Sequence, residues 1–511
     1  MIRTLFAVVL LAFPILARAD WHEAVTPHFI VYADQRPERL TEFATELERF
    51  DAAVRLIAGR PDQPVARPNR LTVYVVDDTG DVAKLSGDRS AAGFYIPRGG
   101  GSLAIVPQSS RSALSPRAVL LHEYAHHLMW SVSPNTVYPA WYIEGFAEAM
   151  ATATFGKDGS VAFGNPPQHR AYGLMAGNWL RADKLLVAET LKLSDDQREG
   201  LYGRGWLLTH YLLFGGKRPG QLTAYLTAIN AGKPLAEADE VFGDLKLLDK
   251  ELERYKMGRF AGYRVAAKAL PAAKVTLRKL TAGEAATMDV RIRSKVGVNR
   301  TTAPGVYDTA RRVATGHEQD AGAQLVLAEA AYDTRDLSAA EAAADRAIAA
   351  DPARTDGYLY KAMAQMATAR QAKDKRPELW TSIRRTIAAG NRREPDDPKL
   401  LTLYYRSFVD PGFPPTDLAK RGLLTAFTLA PQDQLLRINT AALYLREGNA
   451  AMARELLTPL VYSPHGGGLA KRAAAMVARI DAGDTAAAAE TGADTDPDAP
   501  EGADGAEGAP D

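Results

Sequence analysis

The chain has 511 residues, of which 46% are hydrophobic, 24% charged and 8% aromatic. At roughly 150 residues per domain, this length predicts about three folded units, and the apolar content excludes a wholly disordered or fibrous protein. The formal net charge of +1 excludes an overall basic field that would recruit nucleic acid. Because the chain has no cysteine, a transition metal would have to be held by histidines and carboxylates.

Residues 1–19 have the features of a signal peptide. Arg3 provides a positive start, an apolar run covers 5–16, and the chain then reads Ala-Arg-Ala, a small-x-small cleavage site. The run is shorter than the ~20 apolar residues of a spanning helix. We expect cleavage after Ala19 and an exported protein, periplasmic or secreted in a Gram-negative-type bacterium, with no membrane span afterwards. An uncleaved anchor is the alternative.

A mixture of strand and helix patterns follows over residues 20–260. Aromatic and β-branched residues predict strands at 28–33 and 71–76, and a hairpin with a glycine-rich turn at 93–107. Apolar spacing, N-cap residues and prolines predict helices at 36–57, 115–132, 139–152, 170–182, 204–214 and 219–230. Strands that precede a run of helices predict an α+β domain.

The helix predicted up to residue 132 carries the HExxH sequence His122-Glu123-Tyr124-Ala125-His126. Positions four apart lie on one face of a helix, one turn apart, so His122 and His126 can hold a single Zn²⁺. Glu123, beside the first histidine, can act as general base on the water. His127 is expected to point away from the site.

A second helix, with the sequence Trp-Tyr-Ile-Glu-Gly-Phe-Ala-Glu at 141–148, follows soon after. If this helix packs antiparallel to the first, Glu144 lies beside the two imidazoles as third ligand, and a fourth position stays open for water. Glu148, one turn further on, is expected to accept the second ring N–H of a ligand histidine. The sequence therefore predicts one zinc ion per chain in a His₂Glu site.

These residues resemble the gluzincin metallopeptidases of the thermolysin-like clan, especially the bacterial peptidase-MA-like group with its W-x-x-E-G-x-A-E helix. The resemblance covers about 28–230 and implies a zincin-like domain with a small β-sheet, a zinc-dependent peptidase activity and a peptide or protein substrate. The G-x-M-E-N signature of the clan's aminopeptidases is absent, so recognition of a peptide amino terminus is not implied. The turn at 99–101 either shapes an edge strand that pairs with an extended peptide or is a simple loop.

The stretch 201–206, Leu-Tyr-Gly-Arg-Gly-Trp, resembles the Y-x-K-G stretch of the clan's aminopeptidases, with Arg204 at the lysine position. This resemblance implies that Tyr202 donates a hydrogen bond to the tetrahedral oxyanion, an interaction usually worth about 10²–10³ in rate. His169 and His210 are competing donors, because thermolysin uses a histidine here. A packing role is the alternative for Tyr202.

The C-terminal part is helical in pattern. Residues 321–352 carry small residues at Ala328, Ala340 and Ala347, a pattern that resembles a tetratricopeptide (TPR) hairpin, and 422–431 and 439–464 resemble parts of further copies. We predict an all-α, TPR-like helical-repeat domain, with an Ala-rich bundle as alternative. The predicted boundaries are a connector at 261–310, repeats at 311–481 and an acidic tail, disordered because it is poor in apolar residues, at 482–511.

Two classes of function agree with these features. The first is an exported zinc metallopeptidase, taken as an endopeptidase, whose repeats present the substrate or a partner protein. The second is a catalytically inactive peptidase-fold scaffold or binding protein of the cell envelope. Glu123 favours the enzyme, because a scaffold that keeps only metal ligands needs no general base.

Overall fold

A computed structural model describes residues 20–62, 65–89, 91–109, 115–175, 180–464 and 467–493. The predicted signal peptide and positions 494–511 of the predicted acidic tail lie outside these residues. In the part of the chain that is described, no helix combines the length and the apolar character needed to cross a lipid bilayer.

The described residues include nine strands in two sheets. They are β1 (Trp21–Val25), β2 (Phe29–Asp34), β3 (Leu71–Asp78), β4 (Phe94–Ile96), β5 (Leu103–Ser109), β6 (Thr154–Phe155), β7 (Val161–Phe163), β8 (Tyr263–Val265) and β9 (Thr276–Lys279). The larger sheet has the order β4-β5-β3-β2-β1-β9, and the smaller one β6-β7-β8. In the larger sheet β2, β3 and β5 are parallel, whereas β1, β4 and β9 run antiparallel to their neighbours.

The N-terminal part also contains ten α-helices among its described residues. They are α1 (Pro37–Ile57), α2 (Thr79–Ser86), α3 (Pro116–Val132), α4 (Ala140–Ala151), α5 (Ala171–Met175), α6 (Ala182–Leu185), α7 (Asp195–Leu213), α8 (Gln221–Asn230), α9 (Leu235–Ala238) and α10 (Leu245–Lys256). Helix α7 begins nine residues before the predicted position, because Ser194 and Gln197 form a capping box that starts it at Asp195. Tyr202 therefore lies inside this helix.

The remaining helices follow one another along the C-terminal part. They are α11 (Ala282–Ala286), α12 (Met288–Val296), α13 (Ala303–Ala314), α14 (Ala321–Asp333), α15 (Leu337–Ala350), α16 (Thr355–Gln371), α17 (Pro377–Asn391), α18 (Pro398–Val409), α19 (Asp417–Leu429), α20 (Gln434–Arg446), α21 (Ala450–Val461), α22 (Gly467–Asp481) and α23 (Thr485–Ala493). Each packs against the next, and α16 also packs against α14 and α18. With the N-terminal sheet, this array of helical hairpins confirms the predicted α+β arrangement.

Both faces of the larger sheet are covered, so its central strands are apolar on both sides. Val31 and Val73 face a core shared with α1, α3 and α4. Their neighbours Tyr32 and Tyr74 face a second, smaller core on the opposite side, to which α2 and α12 contribute. The active-site helices predicted from the sequence therefore pack on one face of the sheet, and a helix of the C-terminal array packs on the other.

The residues at 261–310, predicted to be a connector, contribute to both parts of the structure. Strand β8 completes the smaller sheet, β9 pairs with β1 at the edge of the larger one, and α11 to α13 pack against α14. At the other end, α23 lies within the stretch predicted to be a disordered tail. Its Ala488 and Ala489 are buried against the preceding helices, so the prediction of disorder is wrong for residues 485–493.

The turn between β4 and β5 contacts the helical array directly. Gly99 donates its backbone N–H to Oδ2 of Asp433, at the start of α20, over 2.5 Å. A Cβ atom added at Gly100 would lie 3.3 Å from the side chain of Lys399 in α18. The edge of the sheet that flanks α3 is thus held against two helices of the C-terminal array.

Candidate metal centre

Helices α3 and α4 bring the three predicted metal ligands together. The Nε2 atoms of His122 and His126 lie 3.1 Å apart. Oε2 of Glu144 lies 3.5 Å from Nε2 of His122 and 3.6 Å from Nε2 of His126. The spacing of four along α3 puts the two imidazoles on one face, and the packing of α4 on that face supplies the carboxylate.

These three atoms form a triangle that fits a tetrahedral zinc ion. Zinc binds histidine nitrogen and carboxylate oxygen at about 2.0–2.1 Å, which places neighbouring ligands of a tetrahedron about 3.3 Å apart. Glu144 is 1% exposed and His126 6%, whereas His122 is partly exposed. The site is therefore more deeply buried at Glu144 and His126 than at His122, whose side chain is 13% exposed.

Negative charge dominates the surroundings of His122. Burial lowers the pKa of His122, but its hydrogen bond with Glu144 and the charges of Glu148 and Glu123 outweigh burial, so the net shift is upwards. The carboxylates therefore favour a positive charge at the imidazole edge, which a divalent cation would also supply.

Glu148 is held by two basic side chains. Its Oε2 lies 3.0 Å from Nε2 of His169, and its Oε1 accepts a hydrogen bond from Nε of Arg170 at 2.8 Å. Burial raises the pKa of Glu148, but the bond with His169 and the charges of His122 and Arg170 lower it to about 2. Its Oε1 lies 3.6 Å from Nδ1 of His122. This distance is too long for the predicted hydrogen bond between Glu148 and a ligand histidine, but it is within the range of an ion pair.

Tyr202, which belongs to α7, lies beside the predicted metal ligands. Its ring centre is 6.4 Å from that of His122, and the guanidinium of Arg170 lies 4.3 Å from the same ring centre. Its hydroxyl has no hydrogen-bond partner among the described residues. Burial, together with the charge of Glu144, raises the pKa of the hydroxyl well above 10, so it keeps its proton and can donate.

The two histidines that compete with Tyr202 are engaged elsewhere. His169 contacts Glu148 as described. His210 is fully buried, with Nδ1 2.9 Å from the hydroxyl of Tyr255 and Nε2 3.1 Å from the carbonyl oxygen of Gly164. Both ring nitrogens of His210 are thus used inside the core, and Nε2 of His169 is engaged by Glu148.

Glu123 acts on its neighbours through its charge, and His127 lies against the edge strand β4. Burial is the main cause of the raised pKa values of Tyr95 and Tyr202, and the charge of Glu123 adds to both, as it does to the pKa of His122. Nδ1 of His127 lies 2.8 Å from the hydroxyl of Tyr95, and burial lowers the pKa of His127 to about 3. His127 therefore faces β4 and not the ligands.

Sequence reasoning missed Arg170. This residue links Glu148 on α4, Glu199 on α7 and the ring of Tyr202. Its partners come from separate segments, and no spacing in the sequence joins them. The one feature of the sequence that pointed to Arg170 was its position next to His169, a candidate oxyanion donor.

Comparisons with known proteins add little to this geometry. No family model matches the chain, and no curated protein matches it. Among solved structures, a thermophilic TPR protein from Thermus thermophilus aligns with 37% of this chain and 95% of its own, at 20% identity and a TM-score of 0.32.

Proposed function

We propose that this protein is an exported zinc-dependent peptidase with one zinc ion per chain. The observation that carries the proposal is the triangle formed by Nε2 of His122, Nε2 of His126 and Oε2 of Glu144, with sides of 3.1 to 3.6 Å. Glu123, on the same helix turn, supplies the general base that a purely structural metal site does not need.

The residues around the site have separate roles in peptide hydrolysis. Zinc, when bound by His122, His126 and Glu144, supplies a Lewis acid next to the scissile carbonyl. Glu123 accepts a proton from the attacking water and passes it to the leaving nitrogen. The hydroxyl of Tyr202 donates a hydrogen bond to the carbonyl oxygen as negative charge develops there.

Strand β4 provides a place for an extended substrate. It is the last strand of the larger sheet, and Tyr95 in its middle contacts His127 of α3. A peptide that pairs with its free edge would run alongside the helix that carries the metal ligands. The C-terminal array, interpreted as TPR-like repeats, would present the substrate or a partner protein at this edge.

The proposal is tested by measuring metal content and casein cleavage on the same preparations. The mature protein should contain one zinc per chain by elemental analysis and lose cleavage with a chelator. Glu123→Gln should keep the zinc and abolish cleavage, and His126→Ala should lose the zinc. Glu237→Gln, an exposed carboxyl on α9, is the control. Full zinc in His126→Ala would overturn the ligand assignment.

The second candidate is a scaffold in which the helical array binds a partner and the N-terminal domain does no chemistry. The contact between the turn at Gly99 and Asp433 favours it, because this contact joins the two parts without involving the metal ligands. Zinc that is retained without any cleavage of protein substrates would support the scaffold and contradict the enzyme.

A further inference from the structure

A depression of about 460 Å³ lies on the surface of the helical array, between α17 and α18. We call it the basic groove; it is lined by Thr381, Arg384, Arg385, Ala388, Arg392 and Tyr404. On α17, Arg385 and Arg392 are seven residues apart. They therefore lie on one face of the helix, two turns apart, with the small Ala388 between them.

The arginines of the basic groove lack the acidic partners that neighbouring arginines have. Arg370 and Arg406 both pair with Asp410, and Arg376 pairs with Asp374. By contrast, within the described ranges no carboxylate forms an ion pair with Arg384, Arg385 or Arg392. Among the residues that the structure describes, Arg384 donates only to the hydroxyl of Thr381 and to the carbonyl oxygen of Ser407.

The chain itself contains a segment of opposite charge. Residues 494–511 hold seven acidic residues and no basic one: Asp494, Asp496, Asp498, Glu501, Asp504, Glu507 and Asp511. Four of them, from Asp498 to Glu507, recur every third residue. The residues between are alanine, glycine and proline, which are small enough to let a main chain lie close to Ala388.

The spacing of the two sets of charges matches. A polyproline II segment, which Pro497 and Pro500 favour, has three residues per turn and rises about 3.1 Å per residue, so every third carboxylate recurs on one side at about 9 Å. Arg385 and Arg392 are about 10.5 Å apart along α17. Two consecutive carboxylates of the segment can therefore face these two guanidinium groups together.

The segment is also long enough to reach the basic groove. It follows α23, where Gly492 packs against Ala442 of α20. Helices α17, α18, α19 and α20 pack in sequence, and α23 packs on α20; with about 10 Å per packed pair, the path across the helix axes measures about 40 Å. Asp504 and Glu507 lie 11 and 14 residues after Ala493, which in an extended conformation span about 36 and 46 Å.

We propose that residues 494–511 bind in the basic groove of the same chain, with acidic residues on consecutive turns opposite Arg385 and Arg392. The interaction is electrostatic at an exposed surface, so it weakens with salt.

The absence of cysteine allows a direct test on the full mature chain. Cysteines introduced by Ser382→Cys, beside the groove, and Ala509→Cys carry a donor and an acceptor dye. We expect high energy transfer at about 10 mM salt and a marked fall at about 1 M. Arg385→Glu with Arg392→Glu should lower the transfer at low salt, as should Asp504→Asn with Glu507→Gln.

The matched control is Arg312→Glu with Arg421→Glu, which makes the same charge change at arginines outside the groove, and it should leave the transfer unchanged. Circular dichroism checks that each variant is folded. Equal transfer in the groove and control variants would overturn the proposal. Transfer that arises only between separately labelled molecules would also overturn it, because the occupant would then be a second copy.

Discussion

Gly145 and Gly205 face each other where α4 packs against α7. A Cβ atom added at Gly145 would lie 2.3 Å from the carbonyl oxygen of Gly205, and one added at Gly205 would lie 2.7 Å from the carbonyl oxygen of Trp141. The two helices that carry Glu144 and Tyr202 can approach this closely only because neither position has a side chain. This contact explains the glycine that follows Glu144 in the second motif.

The first prediction concerns this contact. Gly145→Ala should lower the free energy of unfolding by about 1–3 kcal/mol, because the methyl group overpacks the interface, and should weaken zinc binding because Glu144 moves with α4. Thermal unfolding and zinc content measure the two effects. Gly305→Ala in α13, where an added Cβ meets nothing within 4 Å, is the control and should raise stability by about 0.4–1 kcal/mol. If Gly145→Ala left the free energy of unfolding unchanged, the close approach of α4 and α7 at this position would be contradicted.

The second prediction distinguishes Tyr202 from His169 as the oxyanion donor. Tyr202→Phe should lower kcat for a peptide substrate by about 10²–10³-fold while zinc content stays at one per chain, because the hydroxyl contacts no ligand. His169→Asn should change zinc affinity more than kcat, since His169 acts through Glu148. If Tyr202→Phe retains full kcat and His169→Asn loses it, the assignment is reversed.

The third prediction concerns Glu189, whose Oε1 accepts a hydrogen bond from the backbone N–H of Ala140 at the start of α4. Its Oε2 is buried and has no hydrogen-bond partner among the described residues. Burial raises the pKa of Glu189 to about 7. The folded protein therefore holds a proton that the unfolded chain releases near pH 4.5, and its stability falls as pH rises from about 4.5 to about 7.

Glu189→Gln keeps the bond to Ala140 and removes the titration. It should raise the free energy of unfolding by up to about 3 kcal/mol at pH 8 and by almost nothing at pH 4.5. Urea unfolding at both pH values measures this difference, with the exposed Glu237→Gln as control. An equal gain in the free energy of unfolding at both pH values would show that burial does not raise the pKa of the Glu189 carboxyl.

The fourth prediction concerns the contact between Asp433 and Gly99. Oδ1 of Asp433 caps α20 by accepting the N–H of Leu436, and Oδ2 accepts the N–H of Gly99. Asp433→Asn keeps one acceptor and leaves one of the two N–H groups without a partner, which costs about 1–3 kcal/mol. The melting temperature should fall accordingly.

Asp244→Asn is the matched control for this change. Asp244 also caps a helix, but a single oxygen, Oδ1, accepts both N–H groups there, from Lys246 and Leu247. The substitution keeps that oxygen, so stability should change by less than about 0.5 kcal/mol. Equal losses in the two variants would mean that the bond to Gly99 contributes nothing.

Local patterns allowed much of this structure to be predicted. The strands near 28–33 and 71–76, the helices that carry the two motifs and the hairpin at 321–352 all appear, because side-chain periodicity and capping act over a few residues. The spacing of His122 and His126 determined that both imidazoles lie on one face of α3. The alanines of α14 and α15 indicated close helix packing in the same way.

Contacts between distant segments were decided only by the tertiary structure. The pairing of β9 with β1, the position of Arg170 between Glu148 and Tyr202, and the burial of α23 each depend on residues that no short pattern connects. The amino-acid sequence by itself determined which residues could hold a metal ion and which helices carry them. The packing of α4 and α7 at Gly145 and Gly205 decided how near those residues lie to one another, because the distance between two helices is set by the side chains at their crossing.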